Sequence, residues 1–324
     1  MILAGDIGGT STRLGTFESA GTALRVLAAE RYRSHEHAGL DAIVAAFTAA
    51  HPGHVDAACF GIAGPVRDGR VVTPNIPWVV EAAPLARRLG LDDVLLVNDL
   101  EANAWGVFTL GEEDFATLWP GAPTRTGNAA IISAGTGLGE AGYHWYDGAL
   151  RPFASEGGHA DFAPHDETTI ELFRWLYRRY GHVSWERVVS GPGLANIYAF
   201  LRDTSEGAGN ASLVPGAPDP AAAISVAALA ETDPVAVRAL DLFVALYGAE
   251  AGNLALKMKA TQGLWVGGGI APKILPRLRR PGFLEGFHDK GRFKAFMEAI
   301  PVRVILNDQT ALRGAAWYAL SSLR

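Results

Sequence analysis

Residues 3–17 read LAGDIGGTSTRLGTF, a run of strand-forming residues broken by a glycine turn and then resumed. A carboxylate, Asp6, stands two residues before Gly8-Gly9-Thr10. An acid in that place is compatible with a hairpin, a metal site or a seat for phosphates, and the rest of the sequence must decide between them. Backbone N–H groups without side chains in the way, plus one hydroxyl, suit phosphate oxygens. The acid cannot itself attract phosphate, but it can hold Mg²⁺ through water.

A matching grammar recurs in the second half. NAAIISAGTGLGEAGYHWYDGALRPFASEGG is again strand, glycine turn, strand, turn, strand. Its turn, Gly135-Thr136-Gly137, falls where Gly8-Gly9-Thr10 falls in the first half. A weak internal duplication of this kind points to two similar lobes facing each other, although two unrelated hairpins fit the spacing equally well. A third glycine cluster, Gly267-Gly268-Gly269, follows the strand-like GLWVG, where a base or ribose can approach bare backbone. Buried strand patterns at VDAACFGIAG and DVLLVND alternate with helical stretches at GLDAIVAAFTAAH and APLARRLGL. Interleaving of this kind gives an α/β lobe with a covered sheet. ETTIELFRWLYRRYG and DPVAVRALDLFVALYGAEAGNLALKMKA read as helices, the second largely buried, and TALRGAAWYALSSL as a closing helix. The Gly-, Ser- and Pro-rich run RDTSEGAGNASLVPGAPDPAAA reads as a surface loop.

Composition excludes several classes of function. The 324-residue chain has room for two packed lobes, and its formal charge of −6 provides no basic field for a nucleic-acid backbone. Cys59 is the single cysteine, so no internal disulfide or multi-cysteine zinc site can form. The chain opens directly on a strand pattern with no signal-peptide layout. No segment reads as apolar for the roughly 20 residues of a membrane span. The expectation is a cytoplasmic protein with no membrane or nucleic-acid partner.

The remaining polar constellations sit at strand exits and turns. In VLLVNDLEANAWG, Asn98 and Asp99 end a buried strand. Either can cap the following helix, the reading that spacing alone favours, and Asp99 can alternatively be a base toward a hydroxyl nucleophile. ASEGGHADF places Glu156 and His159 around two glycines, a donor–acceptor set suited to neighbouring hydroxyls. Glu186 in SWERVVSGPGL and Asn75 in TPNIPW read most simply as a helix-end acid and a turn amide.

Together these stretches resemble the bacterial glucokinases. GDIGGTSTRLG, VNDLEANAWG, SAGTGLG, SEGGHADF, SWERVVSGPGL, GLWVGGGIAPKIL and HDKGRF follow that family's order over essentially the whole chain. The resemblance implies an α/β, two-lobed ribonuclease-H-like (actin-like ATPase) fold with a cleft between the lobes. Residues 1–109 would form a small lobe completed by a C-terminal helix at 309–324, and residues 110–308 a large one. It implies Asp99 as the base toward the sugar 6-hydroxyl, with Asn98, Asp99, Glu156, His159, Glu186 and, more weakly, Asn75 on glucose. Gly5, Asp6, Ile7, Gly8, Gly9 and Thr10 would form the first ATP turn, with Mg²⁺ on the Asp6 side. Gly135, Thr136 and Gly137 would form the second turn, and Gly267, Gly268 and Gly269 the adenosine side. A homodimer is the implied assembly.

Related repressor/ORF/kinase sugar kinases usually carry a zinc-binding cysteine cluster after the Glu-Gly-Gly-His turn, and SEGGHADFAPHDE has no cysteine. Some of them are repressors with an N-terminal helix-turn-helix, for which a chain starting at its first strand has no room. Rival functions are another hexose or amino-sugar kinase on the same fold, a sugar-sensing protein without catalysis, and an actin- or chaperone-like ATPase.

Overall fold

The computed structural model describes residues 1–20, 23–73, 76–204 and 219–323. Asn75 and residues 205–218 of the Gly- and Ser-rich run lie outside them. The chain divides into two compact units, Met1–Asp114 with Asn307–Arg324, and Phe115–Leu306.

In the first unit, β1 (Ile2–Ile7), β2 (Ser11–Ala20) and β3 (Ala23–Arg33) form an antiparallel meander, and β4 (Ala57–Ile62) pairs parallel to β1. A separate hairpin joins β5 (Arg70–Val72) to β6 (Val79–Glu81), and β7 (Leu95–Asn98) completes the main sheet parallel to β4. The order is β3-β2-β1-β4-β7. Helices α1 (Leu40–Ala50), α2 (Ala82–Leu89) and α3 (Asp99–Gly106) connect or follow the strands, and Thr310–Ser322 returns to this unit.

Strand alternation sorts β1 between two cores. Leu3 and Ile7 pack with Ile43, Phe47 and Phe60 on one face, and Ile2 and Ala4 pack with Ala102, Leu312 and Ala315 on the other. Asp6 shares the parity of Ile2 and Ala4, so its carboxyl belongs to the face covered by α3 and the closing helix. Cys59 is fully buried in that core, and burial drives its thiol far above the ordinary range.

The second unit contains β8 (Phe115–Trp119), β9 (Ala129–Ala134), β10 (Leu138–Tyr146), β11 (Ala149–Ser155), β12 (Gly263–Gly267) and β13 (Val302–Ile305), in the order β11-β10-β9-β12-β13-β8. β9, β10 and β11 are antiparallel neighbours, and β9, β12 and β13 are parallel. The first unit's strand order and directions therefore recur, which is the duplicated ribonuclease-H-like topology. β8 is an addition, antiparallel to β13 at the edge. Its five residues, between an acidic turn and a proline, are too short for periodicity to reveal.

Helices α4 (Glu167–Tyr180), α5 (Gly191–Thr204), α6 (Pro220–Leu229) and α7 (Pro234–Met258) build the core of this unit with the sheet. Local chemistry sets their starts. Asp166 and Thr169 form a capping box on α4, and Asp233 accepts from the Val235 and Ala236 amides before Pro234 opens α7. The α7 helix corrects one sequence expectation, because by length and composition it is apolar enough to cross a membrane. Its apolar residues run all round because 72% of that window is buried inside the unit.

Candidate functional site

Parallel pairing aligns the carboxyl ends of three strands in the first unit. Asp6 pairs in register with Gly61, and Ile62 with Asn98. Asp6, Gly64 and the Asn98–Asp99 pair thus gather at one end of the sheet, where α/β proteins place ligands. Of the two possible helix caps, Asn98 serves. Its Oδ1 accepts from the Leu100 amide at 2.9 Å, and its Nδ2 donates to the Gly64 carbonyl at 3.2 Å. Asp99 is therefore the first residue inside α3, with Oδ1 also 2.9 Å from the Leu100 amide.

The glycine turn above Asp6 is held from behind. The Gly8 N–H donates to the Ser11 carbonyl at 3.0 Å, and Ser34 Oγ donates to the Gly8 carbonyl at 2.7 Å. Thr12 Oγ1 stands 3.1 Å from Ser34 Oγ, and both residues are fully buried. Neither hydroxyl was singled out in the sequence, since an isolated Ser or Thr carries no signal without its contacts. The turn's first N–H is committed, and Thr10, at its far end, is exposed.

The second unit repeats this device. The Gly135 N–H closes its turn on the Gly137 carbonyl at 2.9 Å, and the Gly191 N–H, at the start of α5, donates to the Gly135 carbonyl at 2.8 Å. Strand register makes Ser133 the counterpart of Asp6, for Ser133 pairs with Gly267 as Asp6 pairs with Gly61. The Gly267–Gly269 cluster lies against the same place. Gly268 has φ +82° and would put a Cβ 2.2 Å from the Ala134 carbonyl, so only glycine fits. The second and third glycine clusters and the start of α5 thus form one patch, with space beside Gly135 and Gly269 in which a Cβ would meet nothing within 4 Å.

Glu156, His159 and Glu186 also come together. His159 Nε2 stands 4.0 Å from Glu156 Oε2, and its Nδ1 stands 4.0 Å from Glu186 Oε1. Those separations are too long for direct hydrogen bonds. Glu156 and His159 are mostly exposed, while Glu186 is anchored through Oε2, which accepts from the Leu138 amide at 3.0 Å. Ser190 supports that anchor, its Oγ donating to the Glu186 carbonyl at 2.6 Å and accepting from the Gly193 amide at 3.0 Å. A serine just before Gly-Pro-Gly is a helix-start signal, and it could have flagged this residue. HDKGRF has a structural explanation: Lys290 Nζ donates to the carbonyls of Gly286 and Asp289.

Among the described residues no three His, Cys, Asp or Glu side chains gather into a metal cage. Mg²⁺ does not need one, since it keeps several waters and takes one or two carboxylates plus substrate phosphates. The donor set at Asp6 fits that chemistry. Burial first, and then the charge of Asp99, push the Asp6 carboxyl up to about 6, with Arg13 and Arg31 pulling the other way. Arg13 is itself held by Asp308, at 2.6 Å from Nη2 to Oδ2. A divalent cation at this place would relieve the repulsion between the two acids.

Comparison with known proteins identifies the family. The glucokinase family model matches residues 3–322. A curated glucokinase of Synechocystis sp. is 43% identical over 351 residues, covering 99% of this chain and 98% of that one. A crystal structure of a glucokinase from an Antarctic psychrotroph superposes with a TM-score of 0.86 at 28% identity, covering 99% of this chain and 98% of the other. A ROK-family glucokinase from Streptomyces griseus, in complex with glucose and AMPPNP, has a TM-score of 0.66 at 25% identity, with 99% of each chain covered. On a match that spans both units and every glycine turn, the chain belongs to the glucokinase family.

Proposed function

We propose that this member of the glucokinase family transfers the γ-phosphoryl group of ATP to the 6-hydroxyl of glucose, with Asp99 as the general base. The supporting observation is that the Asn98–Asp99 pair stands at the carboxyl end of β7, in register with the ends of β4 and β1, with Asn98 as the N-cap and Asp99 as the first residue of α3. A sugar hydroxyl is a poor nucleophile at neutral pH, and phosphoryl transfer leaves little covalent work for the protein. Placement and a base within hydrogen-bond reach supply most of the rest.

Asn98, Glu156, His159 and Glu186 hold the sugar hydroxyls. The 4.0 Å gaps on either side of the His159 ring leave its donors and acceptors for a ligand. Gly9 and Thr10 in one turn, and Thr136 and Gly137 in the other, present the phosphate donors, with Gly5, Asp6, Ile7, Gly8 and Gly135 shaping the turns. Gly267, Gly268 and Gly269 receive the adenosine. Asp6 would hold Mg²⁺ through water, and the ion would supply positive charge against the phosphates. An epimeric sugar leaves polar groups unpaired, at roughly 1–3 kcal/mol each. The protein acts in the cytoplasm as a homodimer.

The test is an ADP-release assay across glucose, mannose, fructose and N-acetylglucosamine. Glucose should give by far the highest kcat/KM. A higher value with another sugar, or ADP release without sugar, would replace this reading by one of its rivals.

A further inference from the structure

Two acids in the core of the second unit have no part in the reaction described above. Glu140 lies on β10, on the same face as Leu138, and is 1% exposed, while Glu250 lies in the C-terminal half of α7 and is fully buried. Their carboxyl groups face each other within hydrogen-bonding reach, which requires a proton between them. Glu250 is otherwise well partnered: Asn253 Nδ2 donates to it at 2.8 Å, and Lys257 Nζ lies 3.3 Å away. Glu140 Oε1 has no hydrogen-bond partner of its own in the protein.

The other oxygen of Glu140 points at the turn that carries Glu156 and His159. A Cβ built on Gly157 would stand 2.1 Å from Glu140 Oε2, so the turn and the carboxyl are in direct contact. The same turn is tied at its start by the Gly157 amide, which donates to Ser155 Oγ at 3.0 Å, and Ser155 is the register partner of Glu140 on β11.

We infer that the Glu140–Glu250 pair positions the Glu156–His159 turn by holding a single proton behind Gly157, and so sets the affinity for the sugar. This rests on the reading of that turn as part of the sugar site. Among the described residues the titratable groups around the pair are few. Tyr247, also on α7, feels the charge of Glu140, and burial holds its hydroxyl well above the ordinary range. Lys257 faces the pair from α7, and Lys290, from the segment after the helix Pro281–His288, reaches Gly252 and feels the charge of Glu250. Lys290 is occupied with carbonyls of its own segment and is driven down by burial. With one shared proton, the two acids and Lys257 are neutral together. Removing that proton leaves an uncompensated negative charge in the core, directly beneath the turn. Burial and the charge of Glu250 push Glu140 up to about 8, with Lys257 opposing, so the change falls on the alkaline side of neutrality.

The experiment is the pH dependence of KM for glucose from pH 6.5 to 9.5 in the intact enzyme, in wild type, Glu140→Gln and Glu250→Gln. Circular dichroism verifies that each variant is folded. Glu140→Gln keeps the shape of the protonated group and cannot ionise. It should match wild type at pH 7 and abolish a several-fold alkaline rise in KM that wild type shows. Glu250→Gln should likewise remove the rise, and it serves if the first variant fails to fold. A wild-type KM that is flat across the range, or a rise that survives unchanged in a folded variant, overturns the inference. Glu156→Gln separates the two levels. If its KM for glucose equals that of wild type, the sugar reading of the turn is wrong. The pair's hold on the turn is then decided by amide hydrogen exchange at Gly157 and Gly158, which should accelerate at alkaline pH in wild type beyond its rate in Glu140→Gln. Equal rates would overturn that as well.

Discussion

Gly137 and Glu186 occupy one another's space. Glu186 Oε2 accepts from the Leu138 amide at 3.0 Å, and a Cβ on residue 137 would stand 2.5 Å from that oxygen. A turn assigned to phosphate and an acid assigned to sugar are therefore mechanically joined. Gly137→Ala should dislodge the carboxylate and raise KM for both ATP and glucose, by about ten- to a hundredfold if one charge-assisted hydrogen bond is lost (roughly 1.5–3 kcal/mol). Gly135→Ala is the control, since a Cβ there meets nothing within 4 Å. It should leave the melting temperature and the glucose KM unchanged. Steady-state kinetics of the two variants provides the comparison.

Asn98 has a structural task beside its proposed one. Asn98→Ala removes both the acceptor for the Leu100 amide and the donor to Gly64, and should lower stability by about 1 kcal/mol for the lost cap. Asn98→Asp keeps the cap acceptor and loses only the donor. It should hold most of that stability while raising the glucose KM. Urea unfolding alongside glucose titration distinguishes the two effects.

The acid at position 6 gives a pH prediction with a definite sign. Its carboxyl is raised in the folded protein from 3.8 to about 6. The stability tied to it is fully present below 3.8 and is lost as pH rises through about 6. With chelator present, Asp6→Asn should melt higher than wild type at pH 7.5, and the two should converge below pH 4. Mg²⁺ with ATP should raise the wild-type melting temperature at pH 7.5 and raise that of Asp6→Asn much less. Thermal scans at several pH values check both statements.

The strand–turn–strand grammar was legible because glycine turns and alternating burial are local signals. They located β1 with β2 and β9 with β10, and the sheet order then showed the two halves to be repeats. Asn98 and Asp99 were legible as a pair, but which of them caps α3 depends on backbone geometry that no spacing specifies. Ser34 and Thr12 were not legible because their importance lies entirely in contacts between distant segments. Glu140 and Glu250 left a faint trace, each a lone acid in an apolar run, GLGEAGY and LYGAEAGNL. A lone acid in such a run is a buried-charge signal, but the sequence does not say that the two meet. Asn75 lies outside the described residues, and its role stays with the family resemblance.

The most direct measurement is kcat for Asp99→Asn at saturating glucose and ATP, with glucose binding followed separately by tryptophan fluorescence. The substituted side chain keeps its size and its place at the start of α3 but cannot accept the hydroxyl proton. A general base contributes roughly 10²- to 10⁴-fold, so kcat should fall by that order while the dissociation constant for glucose changes by less than about threefold. A variant that turns over at the wild-type rate would contradict the assignment of Asp99 as the base.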